Sequence, residues 1–156
     1  MPLIQRLSAV FLLLAMACAA LQAAVMYPPF DPNRPIEPTM VGTVWEALLT
    51  DANGMTQKDR LVFAERSFTS TWLKSAGVSK MPYTQKVGKT VDDPIPWKGE
   101  LSDNQGIKIV FDGRAEKNEM QGTLTVTPAR GEALVYAIVA AKSGTDEARK
   151  LGTAKK

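Results

Sequence analysis

A chain of 156 residues, 45% apolar and carrying 19 lysines and arginines against 16 acids, holds one small domain. It has no histidine, which excludes histidine-based acid/base, nucleophilic and metal chemistry. Its one cysteine, Cys18, lies in an N-terminal apolar run, so loss of that run leaves neither a disulfide nor a thiol nucleophile.

In chain order, Arg6 precedes an apolar stretch over residues 7–17 that includes Phe11, Leu12, Leu13 and Leu14, and small residues follow through Ala23 and Ala24. This tripartite pattern predicts a signal peptide over 1–24 and a periplasmic or secreted protein. Two other routes would tie the chain to a membrane. Cys18 stands where a lipid-modified cysteine could, although Leu14 is one place too early, and residues 7–26 have about the length of an uncleaved anchor. Next comes a proline-rich arm over 25–39, with Pro28, Pro29, Pro32, Pro35 and Pro38. Proline fixes its own torsion and extends its predecessor, so the arm reads as a stiff spacer.

From Met40 the apolar period is two and the runs are short. Ile95, Trp97, Gly99 and Leu101 alternate with polar or exposed types, as do Met120, Gly122, Leu124 and Val126. Noisier alternation predicts strands over 41–49, 61–64, 68–73, 82–87, 107–111 and 134–140, which makes about eight. Asn53 with Gly54, residues 64–67, residues 104–106, and Asp112 with Gly113 leading into a charged turn over 114–118 supply hairpin reversals. Residues 75–80 are long enough for a helical turn, and 146–151 form a helix candidate capped by Thr145. The expected fold is all-β: an antiparallel meander over 40–141, closed as an up-and-down barrel, with a short helix in the basic tail 142–156. A two-sheet sandwich uses the same alternation and hairpins, so it stays open at this point.

A barrel that opens with Gly42, Thr43, Val44 and Trp45, and closes with a strand around Tyr136 before a short polar helix, resembles the lipocalin and avidin-like small barrels over residues 40–151. Two residues separate Gly42 from Trp45, where lipocalins usually have one. The segment 61–83, with Phe68, Ser70, a Gly77 turn and Tyr83, is similar to small exported bacterial proteins of unassigned role. The resemblance implies a fold and carries no functional residue across.

Following strand parity, Trp45, Phe63, Phe68, Trp72, Tyr83, Trp97, Phe111 and Tyr136 face inward, with the small residues Thr43, Ala47, Ser70, Gly99 and Gly122. An eight-stranded barrel is either filled by such side chains or leaves room for one small molecule. In the second case Trp45, Phe68, Trp72, Tyr83, Trp97, Phe111 and Tyr136 would line a site for a small apolar or aromatic ligand. On the outside, Val44 and Leu48 of the first strand and Val135 and Val139 of the last would merge into an apolar patch. Its expected cover is the tail helix through Ala148 and Leu151, the arm through Phe30 and Ile36, a second copy, or an envelope partner.

Catalytic chemistry is not expected. Asp92 and Asp93 are neighbours that point to opposite sides of an extended chain, and Thr71 with Lys74 has a helical spacing in a segment that reads as strand end. Asp103, Asp112, Glu116 and Glu119 are scattered around turns without the spacing of a calcium loop, so neither a metal nor another cofactor is expected. Lys142, Arg149, Lys150, Lys155 and Lys156 outnumber Asp146 and Glu147, which puts the excess positive charge in the tail rather than on a nucleic-acid-binding surface. The expectation is an exported non-catalytic barrel that carries a small apolar ligand, or else an accessory envelope protein that docks on a partner.

Overall fold

The computed structural model describes residues 39–153 except 89 and 91. The expected signal peptide, Cys18, the proline arm up to residue 38 and the last three residues lie outside the described residues. Eight strands run in order: β1 (Val44–Thr50), β2 (Thr56–Phe63), β3 (Ser67–Ser70), β4 (Met81–Gln85), β5 (Ile95–Ser102), β6 (Lys108–Glu116), β7 (Glu119–Thr127) and β8 (Leu134–Lys142). Helix α1 (Thr71–Ser75) joins β3 to β4, and helix α2 (Asp146–Thr153) follows β8.

Each strand pairs antiparallel with the next, and β8 returns to pair with β1 from Trp45↔Lys142 to Thr50↔Ala137. That last ladder decides barrel over sandwich. Closure leaves the sheet without a free edge strand, the usual liability of an all-β domain. The alternation that predicts the strands is the burial pattern observed: in β5, Ile95, Trp97 and Gly99 are buried while Pro96, Lys98 and Glu100 are exposed. Polar residues on the outer face form ion pairs, among them Glu100 with Lys108 at 2.6 Å and Lys98 at 3.6 Å. The Lys108 contact, first of these, holds the Glu100 carboxyl below its ordinary range.

Several element boundaries differ from expectation. The strand expected over 68–73 stops at Ser70, because the Ser70 hydroxyl accepts the Leu73 amide at 3.1 Å and starts α1. Thr71 and Lys74 therefore belong to a helix after all. The first strand starts at Val44 rather than 41, and the second extends back to Thr56. The charged turn expected over 114–118 shrinks to Lys117 and Asn118, since Arg114, Ala115 and Glu116 remain paired in β6. Lys117 takes the left-handed conformation this two-residue reversal needs, with φ 54°. Thr145 caps α2 as expected, its hydroxyl accepting the Ala148 amide at 3.3 Å.

Candidate functional site

The inward aromatic residues form one packed cluster. Trp45, Phe63, Phe68, Trp97 and Phe111 are buried, and Trp72, Tyr83 and Tyr136 are half-buried against them. Phe68 is the hub, with ring centroids 5.3 Å from Phe63, 5.3 Å from Trp97, 5.1 Å from Phe111 and 6.2 Å from Tyr83. Most of these are edge-to-face contacts, the geometry that aromatic quadrupoles favour. The inward glycines hold no spare room: a Cβ on Gly99 would stand 2.6 Å from the Phe68 ring, and one on Gly113 would stand 2.6 Å from the Trp97 indole nitrogen. Gly122 serves a different contact from the one its parity suggests. A Cβ there would meet the Asp112 carbonyl oxygen and Gly113 Cα, so it lets β7 approach β6 closely.

Both ends of the barrel are stoppered. At the lower end, where β1 begins, buried Met40 closes the interior; its amide donates to Gln85 Oε1 at 2.8 Å, and Trp45 Nε1 donates to Thr43 Oγ1 at 2.9 Å. Tyr83 donates its hydroxyl to the Ala64 carbonyl at 2.9 Å, and burial raises its pKa. At the upper end α1 inserts Leu73, which is fully buried. Trp72 enters from this helix rather than from a strand, 6.4 Å from Phe111 and 6.3 Å from Tyr136.

A buried carboxylate holds the upper stopper. Asp59, only 4% exposed, accepts the Ser70 hydroxyl at 2.7 Å, the Trp72 amide at 3.0 Å and the Arg60 amide at 2.8 Å. Sequence reasoning passed over Asp59 and Met40. Asp59 shares the parity of Leu61 and Phe63 but lies before the strand expected over 61–64, so its inward placement follows only from the longer β2.

On the outer face, Val139 lies directly opposite Leu48 across the β1/β8 seam, as expected. Val44 stands apart from them, at the lower end and opposite Val62. Helix α2 covers the lower part of the seam: Ala141, on the outer parity of β8, is buried there, and so is Ala148 of the helix. Lys58 Nζ fixes the far end of α2 by donating to the Gly152 carbonyl at 3.1 Å. Above the helix the cover stops. Among the described residues, Val135 and Val139 remain 50% and 48% exposed on the outer face, and Leu134, on the inward parity at the upper rim, is 56% exposed.

Two clefts run along the β7 side of α2. The first, about 460 Å³, has an apolar floor of Val139, Ala140 and Ala141 with Leu151 as a wall, and Glu119, Gln121, Glu147 and Lys150 line it as well. The second, about 570 Å³, shares Glu119, Gln121 and Glu147 and adds Arg114, Glu116, Lys117 and Asn118. The Glu147 carboxyl is held below its ordinary range by its own backbone amide, then by the Thr145 hydroxyl. Among the described residues no group of three or more Asp, Glu, Cys or His is placed to hold a metal ion. Compared with protein-family models, curated proteins and solved structures, the chain matches none.

Proposed function

We propose that this protein is an exported, non-catalytic barrel that works through its outer surface, as an accessory component docking on a partner in the cell envelope. The observation that carries this reading is the pair of half-exposed valines, Val135 and Val139, on the outer face of β8, on a barrel whose interior is occupied by its own rings. With Leu48 of β1, which faces Val139 across the seam, they make an aliphatic patch that the described residues leave about half open. The N-terminal secretory pattern supports an envelope or extracellular setting. The test is co-purification from an envelope extract with the wild-type chain and with Val135→Asp plus Val139→Asp. Both positions are surface sites, so the double variant keeps the barrel, as circular dichroism will show. Loss of the co-purifying protein is the expected result, and undiminished recovery by the folded variant rejects the reading.

A second reading rests on Trp72 and Tyr136, the two half-buried rings at the upper end beside α1. A small apolar or aromatic ligand seated there would change indole emission. Unchanged tryptophan fluorescence through a titration with fatty acids, quinones or porphyrins would rule it out.

A further inference from the structure

We infer that the uncovered part of the β1/β8 seam receives a short amphipathic helix of the docking partner; the inference rests on the docking reading above and names the shape and chemistry of what docks. The outward parity of β8 is aliphatic along its length, as Val135, Ala137, Val139 and Ala141. Across the seam, Leu48 stands opposite Val139 and Thr50 opposite Ala137. On the lower part of this strip the chain seats a helix of its own. Helix α2 packs on both strands of the seam, with Ala148 of the helix and Ala141 of β8 both buried. Leu151, near its end, lines a cleft with Leu48 on one side and a cleft with Val139 on the other. Beyond Leu151 the same face continues bare through Ala137 and Val135.

Backbone hydrogen bonding decides between a helix and an extended segment. A bound strand takes its affinity from main-chain hydrogen bonds to a sheet edge, and the closed barrel offers no edge. An extended peptide on the outer face would bury amides without partners, whereas a helix satisfies its own. The dimensions agree. Neighbouring strands lie about 4.8 Å apart, so the two strands of the seam make a seat about as wide as one helix, roughly 10 Å. The strand from Val135 to Val139 spans about 14 Å, the length of about nine helical residues. A second copy of the barrel suits this seat poorly, because a stable pair of globular surfaces buries about 800 Å² per partner. Ala137, small between two valines, leaves a dip for one bulky aliphatic side chain of the helix. The flanking positions on β7 are uncharged, namely Gln121, Thr123 and Thr125, and Lys58 beside Leu48 is turned to the Gly152 carbonyl. Recognition is therefore apolar and insensitive to salt.

The test uses the purified chain and two uncharged dodecapeptides of equal leucine content, with alanine and glutamine elsewhere. One has its leucines three and four residues apart and is braced as a helix by a side-chain lactam on its polar face; the other has them at alternate positions. Amide chemical shifts are followed up to millimolar peptide. The helical peptide should shift Leu48, Thr50, Ala137 and Val139, with the same affinity at low and high salt, and the alternating peptide should not. Ala137→Glu, at an exposed position, should weaken the helical peptide about tenfold, and Val135→Asp plus Val139→Asp serves as a second variant. Failure of the helical peptide to bind, equal binding of both peptides, or an affinity unaffected by either folded variant overturns the inference. Partner recovery from the extract separates the two claims. Loss of the partner with Val135→Asp plus Val139→Asp, while the helical peptide fails to bind, removes the helix and keeps the docking reading. Undiminished recovery by that folded variant removes the docking reading itself.

Discussion

Asp59 has the most connections of any polar side chain in the interior. Two of its three hydrogen bonds join β2 to the last residue of β3 and to the first turn of α1, and the third, from the Arg60 amide, fixes the carboxyl within β2, so this side chain holds the place where the third strand ends and the stopper begins. Replacing it with alanine leaves the Ser70 hydroxyl and the Trp72 amide without their acceptor in a nearly dry site. Each buried group stripped of its partner costs about 1–3 kcal/mol, so Asp59→Ala should destabilise the domain by about 2–5 kcal/mol. Urea unfolding measures the loss, and the near-ultraviolet dichroism of Trp72 should weaken with it. Little change in either would show that α1 holds its place by Leu73 alone. The ring positions were legible beforehand, because Phe63, Phe68, Trp97 and Phe111 sit on the strong parity of their strands. Asp59 was not, because period-two reading sorts residues by hydropathy and sets aside a charged residue that is buried by satisfying its neighbours.

Among the elements, the strands that alternate cleanly were legible, whereas β2 and β6 read short, with Asp112 and Gly113 of β6 reading as a turn, and the short helix was not legible. Strands β5 and β7 alternate through their whole length, so their faces are written in the sequence. Helix α1 is five residues long, too short for a helical repeat to appear, and Trp72 falls on the parity of Phe68 and Ser70, so the segment reads as more strand. What ends the strand is the Ser70 cap on the Leu73 amide, and Asp59 of β2 holds that cap by accepting the Ser70 hydroxyl and the Trp72 amide, a tertiary support that no local pattern contains. Helix α2 shows the opposite case: Thr145, Asp146 and Glu147 announce its start, and the structure adds the charge effect. The Glu147 carboxyl accepts from its own backbone amide in the first turn of the helix, and then from the Thr145 hydroxyl, and its pKa is lowered. A group with a depressed folded-state pKa contributes stability above its ordinary pKa, and that contribution is lost as pH falls through the depressed value. Acidification from neutrality to below the carboxylate range should therefore loosen α2 before the barrel opens. Amide exchange within 146–153 should rise while exchange in β6 and β7 holds. Simultaneous loss of protection in both would indicate that the helix end adds no stability of its own.

Across the whole molecule, closure is uneven, and that unevenness sets how the barrel opens. Strands β6 and β7 are paired at nine positions, from Lys108↔Thr127 to Glu116↔Glu119, and β7 and β8 at eight. Strands β3 and β4 are paired at only two, Ser67↔Pro82 and Phe68↔Met81, and the proline has no amide to donate. The seam is closed instead by side chains: Leu73 and the Asp59 network above, Tyr83 and Met40 below. Local opening follows the region with the fewest backbone hydrogen bonds, so the barrel should part first between β3 and β4, with α1 released from the upper end in the same event. Hydrogen-exchange mass spectrometry of the purified protein should give 67–85 a lower opening free energy than 108–127, by several kcal/mol on the scale that separates sub-global from global unfolding. Asp59→Ala should widen this gap, because it removes a latch on the weak side and leaves the β6–β7 ladder untouched. Equal protection on the two sides would mean that the ring cluster around Phe68 ties the seam as firmly as a full ladder does. The barrel would then unfold as one cooperative unit.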